Sequence, residues 1–261
     1  MNPSDQCVAF ELRNDVCWIT INRPELRNAI NESVISGISS ALTAAKDAPG
    51  VRAVVLTGAG DRAFCAGADL RPNSNIFDFD FSEPRTDYAD LLRQAVGFDI
   101  PLIARVNGAC MAGGMGLLSM CDLAVASANA QFGLPEVKVG MFPMQVASVM
   151  QHLIPHRKFA EMCITGEAIT AQEALDFGLV NYVVEPAALD EKVEWLLARI
   201  TDKSPTAIRR GKNALRAIAD MTFAQSIAFM EAQLGSLRMT KDAAEGLAAF
   251  AEKRKPVWTG K

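Results

Sequence analysis

Asn107-Gly108-Ala109-Cys110-Met111-Ala112-Gly113-Gly114-Met115-Gly116 decides how this chain is read. It follows the apolar run Leu102–Val106, which reads as a strand, and Ala112 to Gly116 read as the glycine-rich start of a helix. The first N–H groups of a helix have no intrahelical partner, and the helix dipole adds partial positive charge beside them. Two backbone donors converging on one carbonyl oxygen make an oxyanion hole. Taken alone, Gly113, Gly114 and Gly116 serve equally well to let a helix pack closely.

Two flanking stretches bear on that choice. Upstream lies Phe64-Cys65-Ala66-Gly67-Ala68-Asp69-Leu70, whose small residues let a ligand approach the backbone. Downstream lies Ala130-Gln131-Phe132-Gly133-Leu134-Pro135-Glu136-Val137-Lys138-Val139-Gly140-Met141-Phe142-Pro143. Glu136 sits there among apolar residues, where burial raises a carboxyl pKa and suits a group that takes and returns a proton. The other reading of Glu136 is a capped or salt-bridged glutamate, with Lys138 as partner.

Further out, Val8–Leu12 and Val16–Ile21 read as strands joined by a turn at Arg13-Asn14-Asp15. Asn31 reads as the N-cap of a helix with Val34, Ile35, Ile38 and Leu42 on one face, ended by Pro49-Gly50. Val51–Thr57 reads as a buried strand before the turn Gly58-Ala59-Gly60 and the segment Ala63–Leu70. Arg71 to Thr86 is irregular and carries Phe77, Phe79 and Phe81; a loop that long inside a domain is commonly functional. A helix is predicted near Asp87–Val96, strands at Asp122–Ala126 and Leu179–Val184, and a capping box at Thr170-Ala171-Gln172-Glu173. After Pro186 helical periodicity dominates, with breaks at Ser204-Pro205 and around Met239-Thr240. The strand–strand–helix rhythm of the first part suggests a structural repeat.

With 261 residues, half of them hydrophobic, the chain can bury a large core. A net charge of −4 lacks the basic excess of a nucleic-acid binder, though a local basic patch suffices for a small anion. Cys7, Cys17, Cys65, Cys110, Cys121 and Cys163 are scattered without a CxxC pair and read as reduced cysteines of a cytoplasmic protein. The start has no signal-peptide pattern, and Ile100 to Cys121, interrupted by Arg105 and Asn107, makes a poor membrane span. His152 and His156 have the spacing of a metal pair, but Pro155 interrupts the helix and no glutamate stands between them, so no metal is expected.

Taken together, these segments resemble the enoyl-CoA hydratase/isomerase (crotonase) family. The likeness runs through Ala63–Leu70, Asn107-Gly108 through Cys121-Asp122, and Ala130–Gly133 through Glu136 and Gly140. It extends to Asn22-Arg23-Pro24, Asn28-Ala29, Thr165-Gly166-Glu167, Gly178-Leu179-Val180 and Glu252-Lys253-Arg254-Lys255-Pro256, in order along nearly the whole chain. The resemblance implies an α/β crotonase-type spiral of repeated β-β-α units over residues 1–195. A helical C-terminal region, 196–261, would mediate a homotrimer or homohexamer, with Phe223, Ile227, Met230 and Leu234 on its apolar faces. It implies an acyl-CoA thioester substrate, with CoA as part of the substrate and no separate cofactor. The N–H groups of Ala66 and Gly113 would hold the thioester oxygen, and Glu136 would be the acid–base group. Gly67, Ala68, Asp69 and Leu70 would line the CoA and acyl site with Ala66. Arg27, Lys253 and Lys255 would sit near the nucleotide phosphates, though the tail also reads as a solvated charge run.

Hydratases of this family carry two glutamates, and the first falls where this chain has Gly116. Moving a double bond needs one base, whereas hydration gains from two carboxylates that hold a water, so Gly116 favours isomerisation or weak hydration. Asp69 and Glu167 are the substitutes to consider. Pro143-Met144-Gln145-Val146 offers no aspartate of the kind used by family dehalogenases and dienoyl isomerases. The rival readings are a CoA-thioester-binding scaffold with little activity and another crotonase-type acyl-CoA lyase. A dinucleotide enzyme is disfavoured, because Gly58-Ala59-Gly60 lacks the third glycine of that loop at Ala63.

Overall fold

The computed structural model describes residues 7–71, 80, 82 and 85–261; the phenylalanines at 77, 79 and 81 lie outside them. The chain opens with β1 (Val8–Arg13) and β2 (Val16–Ile21), an antiparallel hairpin turned by Asn14 at φ 56°. Helix α1 (Glu32–Asp47) follows, capped by the Asn31 side chain accepting from the Val34 N–H at 2.9 Å. Its buried residues include the four read from the sequence, Val34, Ile35, Ile38 and Leu42.

From there the chain repeats one unit. β3 (Ala53–Gly58) leads to β4 (Ala63–Cys65) and α2 (Asp87–Val96). β5 (Leu102–Val106) leads to β6 (Ala109–Met111) and α3 (Gly113–Ser119). β7 (Leu123–Ser127) leads to β8 (Gln131–Gly133), a 3-10 turn at Pro135–Val139, and α4 (Met144–Met150). In each unit the first strand joins one sheet and the second joins another. With β9 (Ile169–Thr170) and β10 (Tyr182–Val184), the larger sheet runs β1-β2-β3-β5-β7-β10 and the smaller β4-β6-β8-β9. The strands from β2 to β10 in the larger sheet pair in parallel. Two sheets, and not one continuous doubly wound sheet, are what the crotonase resemblance implies.

β3 is buried along its whole length, as a central parallel strand covered on both faces must be. Alternate residues serve opposite faces. Val54 and Leu56 join the main core beneath α1, while Ala53 and Val55 join a second cluster closed by Leu189, Val193, Leu196 and Leu197 of α7 (Leu189–Thr201).

Some boundaries differ from the sequence reading. The strand expected at Leu179–Val184 begins only at Tyr182, because the N–H groups of Leu179 and Val180 close the end of α6 (Ala171–Asp176) on the Ala174 carbonyl. β6, β8 and β9 were not anticipated; two or three residues are too few to show a period. Helix α5 (His156–Thr165) ends at Gly166, and the Thr170–Glu173 capping box opens α6 as read. The C-terminal helices are α8 (Pro205–Ala217), α9 (Phe223–Arg238) and α10 (Lys241–Ala251), with an unanticipated break between α8 and α9. α9 buries no residue within this chain, and Phe223, Ile227 and Leu234 are exposed. Among the described residues, no helix is long and apolar enough to cross a membrane.

Candidate active site

One wall of the site is the turn after β4. Ala66 donates its N–H to the Arg27 carbonyl at 3.0 Å. Ile30 donates to Gly67 O and Asp69 donates to Ile30 O, each at 2.8 Å, which makes a parallel bridge between Ile30 and Ala68. In such a bridge the N–H of the middle residue points away from its partner strand. The Ala68 N–H has no hydrogen-bond partner among the described residues, and Ala68 lines the cavity. The assignment of Ala66 as an oxyanion donor is therefore corrected: its N–H is spent on Arg27, and Ala68 supplies the free one.

Buried polar side chains brace this wall. Asp69 accepts from Arg23 Nη2 at 2.8 Å and from Arg71 Nε and Nη2 at 2.9 and 2.7 Å. Arg71 and then Arg23 hold its carboxyl well below the usual carboxylate range. Asn28 accepts from the Arg23 N–H at 3.1 Å and donates to Ala63 O at 2.7 Å and Ala59 O at 3.0 Å. Asn107 donates to Gly60 O at 2.8 Å and Ala63 O at 3.1 Å. Arg23, Asn28 and Asn107 thus fix the turn and do not line the cavity.

The start of α3 lies against that turn. Ala112 precedes it at φ 50°, ψ −123°, a conformation that costs an L-residue about 1–3 kcal/mol. Gly67, at φ +96°, tolerates no side chain: its Cβ would meet Ala112 Cβ at 2.7 Å and lie 3.5 Å from the Gly113 nitrogen. The Gly113 N–H also has no partner among the described residues, so two unpaired N–H groups, from Ala68 and Gly113, belong to one cavity of about 660 Å³.

Glu136 closes the opposite side. The turn Pro135–Val139 carries it and ends at Gly140 in the left-handed conformation, φ 77°. Glu136 is half-buried and lines the cavity, and its Oε2 is fully buried without a hydrogen-bond partner among the described residues. Burial raises its pKa above the ordinary glutamate value. Lys138 is turned to Glu167, at 2.9 Å, which removes the salt-bridged reading of Glu136. The exposed lining mixes apolar Leu70, Val139, Met141, Phe142 and Met144 with charged Glu32, Arg85 and Asp87.

The structure brings together only part of the set read from the sequence. Ala66, Ala68, Leu70, Gly113 and Glu136 line the cavity. Gly67 and Asp69 shape the turn from behind. The side chains of Arg27, Lys253 and Lys255 are exposed and do not line the cavity in this chain. His152 and His156 are exposed on either side of the Leu153-Ile154-Pro155 turn. Many lining residues were not read as site residues, Tyr88 among them. Tyr88, from α2, directs its hydroxyl to the Gly113 carbonyl, and a Cβ added at Gly116 would fall on that hydroxyl and lie 3.2 Å from its Cζ. The helical pattern of 87–96 accounts for Tyr88 fully, so no sequence signal marked it.

Comparisons with known proteins bear on the family and the fold. Residues 11–261 match the profile of the enoyl-CoA hydratase/isomerase family. The chain is 34% identical over 254 residues to an (E)-benzylidenesuccinyl-CoA hydratase of Thauera aromatica, covering 97% of this chain and 99% of that protein. It is 32% identical to a crotonyl-CoA hydratase of Syntrophomonas wolfei subsp. wolfei, over 95% and 96% of the two chains. A crystal structure of enoyl-CoA hydratase from Bacillus anthracis superposes with a TM-score of 0.90 at 30% identity, covering 98% of this chain and 100% of that one. A spiral of alternating sheets, two backbone donors left free beside a half-buried glutamate, and these likenesses along the full length lead to one conclusion: the chain belongs to the enoyl-CoA hydratase/isomerase family.

Proposed function

We propose that this enzyme binds an enoyl-CoA thioester with its carbonyl oxygen between the N–H groups of Ala68 and Gly113, and that Glu136 moves the proton. The observation that carries this reading is Glu136, a half-buried carboxylate lining the same cavity as those donors, with its Oε2 unpartnered among the described residues. The donors stabilise negative charge on the oxygen as the thioester becomes an enolate. Burial leaves Glu136 a stronger base than an ordinary glutamate once ionised, and it returns the proton to carbon afterwards. Isomerisation needs only this set. Hydration needs in addition an acceptor that holds the water, and the hydratase names of the relatives support that reaction.

CoA enters as part of the substrate, with no separate cofactor. Residues 1–195 carry the active site, and 196–261 assemble a homotrimer or homohexamer through faces such as that of α9, which this chain leaves bare. In such an assembly Lys253 and Lys255 are free to meet the nucleotide phosphates at a neighbouring subunit's site, while Arg27 acts at its own. Glu136→Gln keeps size and hydrogen bonding but removes the base. It should lower turnover of crotonyl-CoA and of a 3-enoyl-CoA about 10²–10⁴-fold. Unchanged turnover would refute the assignment.

A further inference from the structure

Gly116 leaves the start of α3 without a carboxylate, the cavity's carboxylates other than Glu136 being the exposed Glu32 and Asp87, yet the volume beside Gly116 is filled. The Tyr88 hydroxyl stands where a side chain at 116 would emerge; a Cβ there would also lie 3.4 Å from Val146 Cγ2. The Tyr88 ring packs against the main core, and its hydroxyl donates to the Gly113 carbonyl. With its only proton committed there, the phenol oxygen offers lone pairs to anything else that approaches. Burial, then the neighbouring cysteines and Glu136, keep it neutral by raising its pKa well above the ordinary tyrosine value. Neither substitute carboxylate is available for water. Asp69 is committed to Arg23 and Arg71, and Glu167 is exposed on Lys138.

We propose that Tyr88 is a catalytic residue for hydration, its hydroxyl oxygen accepting one hydrogen of the attacking water in place of a carboxylate at position 116. This rests on Glu136 as the base. The water oxygen bonds to Cβ of the 2-enoyl thioester, the double-bond pair moves to Cα, and the thioester oxygen takes enolate charge. Glu136 takes one proton from the water and returns it to Cα. The other hydrogen stays on the oxygen throughout, directed at Tyr88 Oη, and becomes the hydrogen of the product alcohol. Gly116 is thus read as the room left for this phenol rather than as a lost function.

The test compares hydration of crotonyl-CoA with exchange of the α-hydrogens of butyryl-CoA in D₂O, which needs the base and the oxyanion donors but no attacking water. Tyr88→Phe should lower kcat for hydration about tenfold, the size of one hydrogen bond in the transition state, and exchange by less than about threefold. Glu136→Gln should lose both reactions. Gly116→Glu combined with Tyr88→Ala should hydrate faster than Tyr88→Ala alone; a rate no faster would mean that position 116 does not face the attacking water and would overturn the proposal. Hydration by Tyr88→Phe at the unmodified rate overturns the proposal. So does an equal fall in both reactions, which would make Tyr88 a brace for Gly113, and so does an unmodified protein that exchanges butyryl-CoA but adds no water to crotonyl-CoA. Failure of the Glu136 reading shows separately, as exchange that survives in Glu136→Gln.

Discussion

The two sides of the cavity are built on opposite principles. On the side of Ala68 and Gly113, the backbone is held by Arg23, Asn28, Asp69 and Asn107, buried side chains whose hydrogen bonds converge on one turn. On the side of Glu136, Oε2 has no hydrogen-bond partner among the described residues, and the nearby turn residues Val139, Met141, Phe142 and Met144 are exposed. Donors that must meet a developing oxyanion gain from being fixed in advance. A base that must lose and regain a proton gains from an environment that does not stabilise its charge. The contrast separates two ways of preparing a group for the proposed reaction: the donors are held by a braced backbone, and the carboxylate is left to burial.

The most direct way to break the contrast is Glu136→Gln. Beyond the loss of about 10²–10⁴ in turnover, the variant should melt at a higher temperature than the parent at neutral pH. The folded-state pKa of Glu136 lies above its unfolded value, so the folded protein binds this proton more tightly. Its ionisation therefore subtracts stability as pH rises from the unfolded to the folded pKa, and the full penalty persists above. The melting difference should shrink when the pH is taken below the ordinary glutamate range. A lower melting point for the variant at neutral pH would contradict the reading.

Next in size is Arg23→Met on the fixed wall. It removes one partner of a buried ion pair and unpairs the Ala29 carbonyl, which Arg23 Nη1 reaches at 2.6 Å. Denaturant titration should show about 3 kcal/mol lost. A loss below about 1 kcal/mol would mean that Arg71 alone satisfies Asp69.

The pH dependence sharpens the other side. kcat/KM for crotonyl-CoA should fall on the acid side with a midpoint above the ordinary glutamate range, since Glu136 must be ionised to accept a proton. An acid limb at or below that range would show that burial does not govern this base.

The smallest effect is expected at Ala112→Gly. Glycine adopts φ 50°, ψ −123° without a Cβ, so the fold should gain about 1 kcal/mol while kcat/KM changes little. Destabilisation would mean that the methyl contact with Gly67 outweighs the strain.

Much of this was legible from the chain. The cap at Asn31, the Thr170–Glu173 box and the length of α2 follow from local patterns, and Glu136 stood out as a carboxylate in apolar surroundings. What failed was non-local. Which of Ala66 and Ala68 keeps a free N–H is set by Arg27 and Ile30, on a separate segment. Tyr88 reaches its place only because α2 brings it over the start of α3, where Gly116 makes room. A tyrosine on a helix face and a glycine among glycines are each unremarkable until the fold puts them in contact.

That contact makes positions 88 and 116 a single sterically coupled unit. A side chain at 116 cannot coexist with the phenol, because its first carbon would occupy the hydroxyl's place. Replacing the phenol by a carboxylate at 116 therefore requires two changes. The single step Gly116→Glu collides, whereas Tyr88→Ala first passes through a form with neither group. The effects of the two substitutions must be strongly non-additive. Under the proposed role of Tyr88, the route from one solution to the other passes through impaired catalysts, and a library varying position 116 alone would score it as intolerant because of the tyrosine beside it.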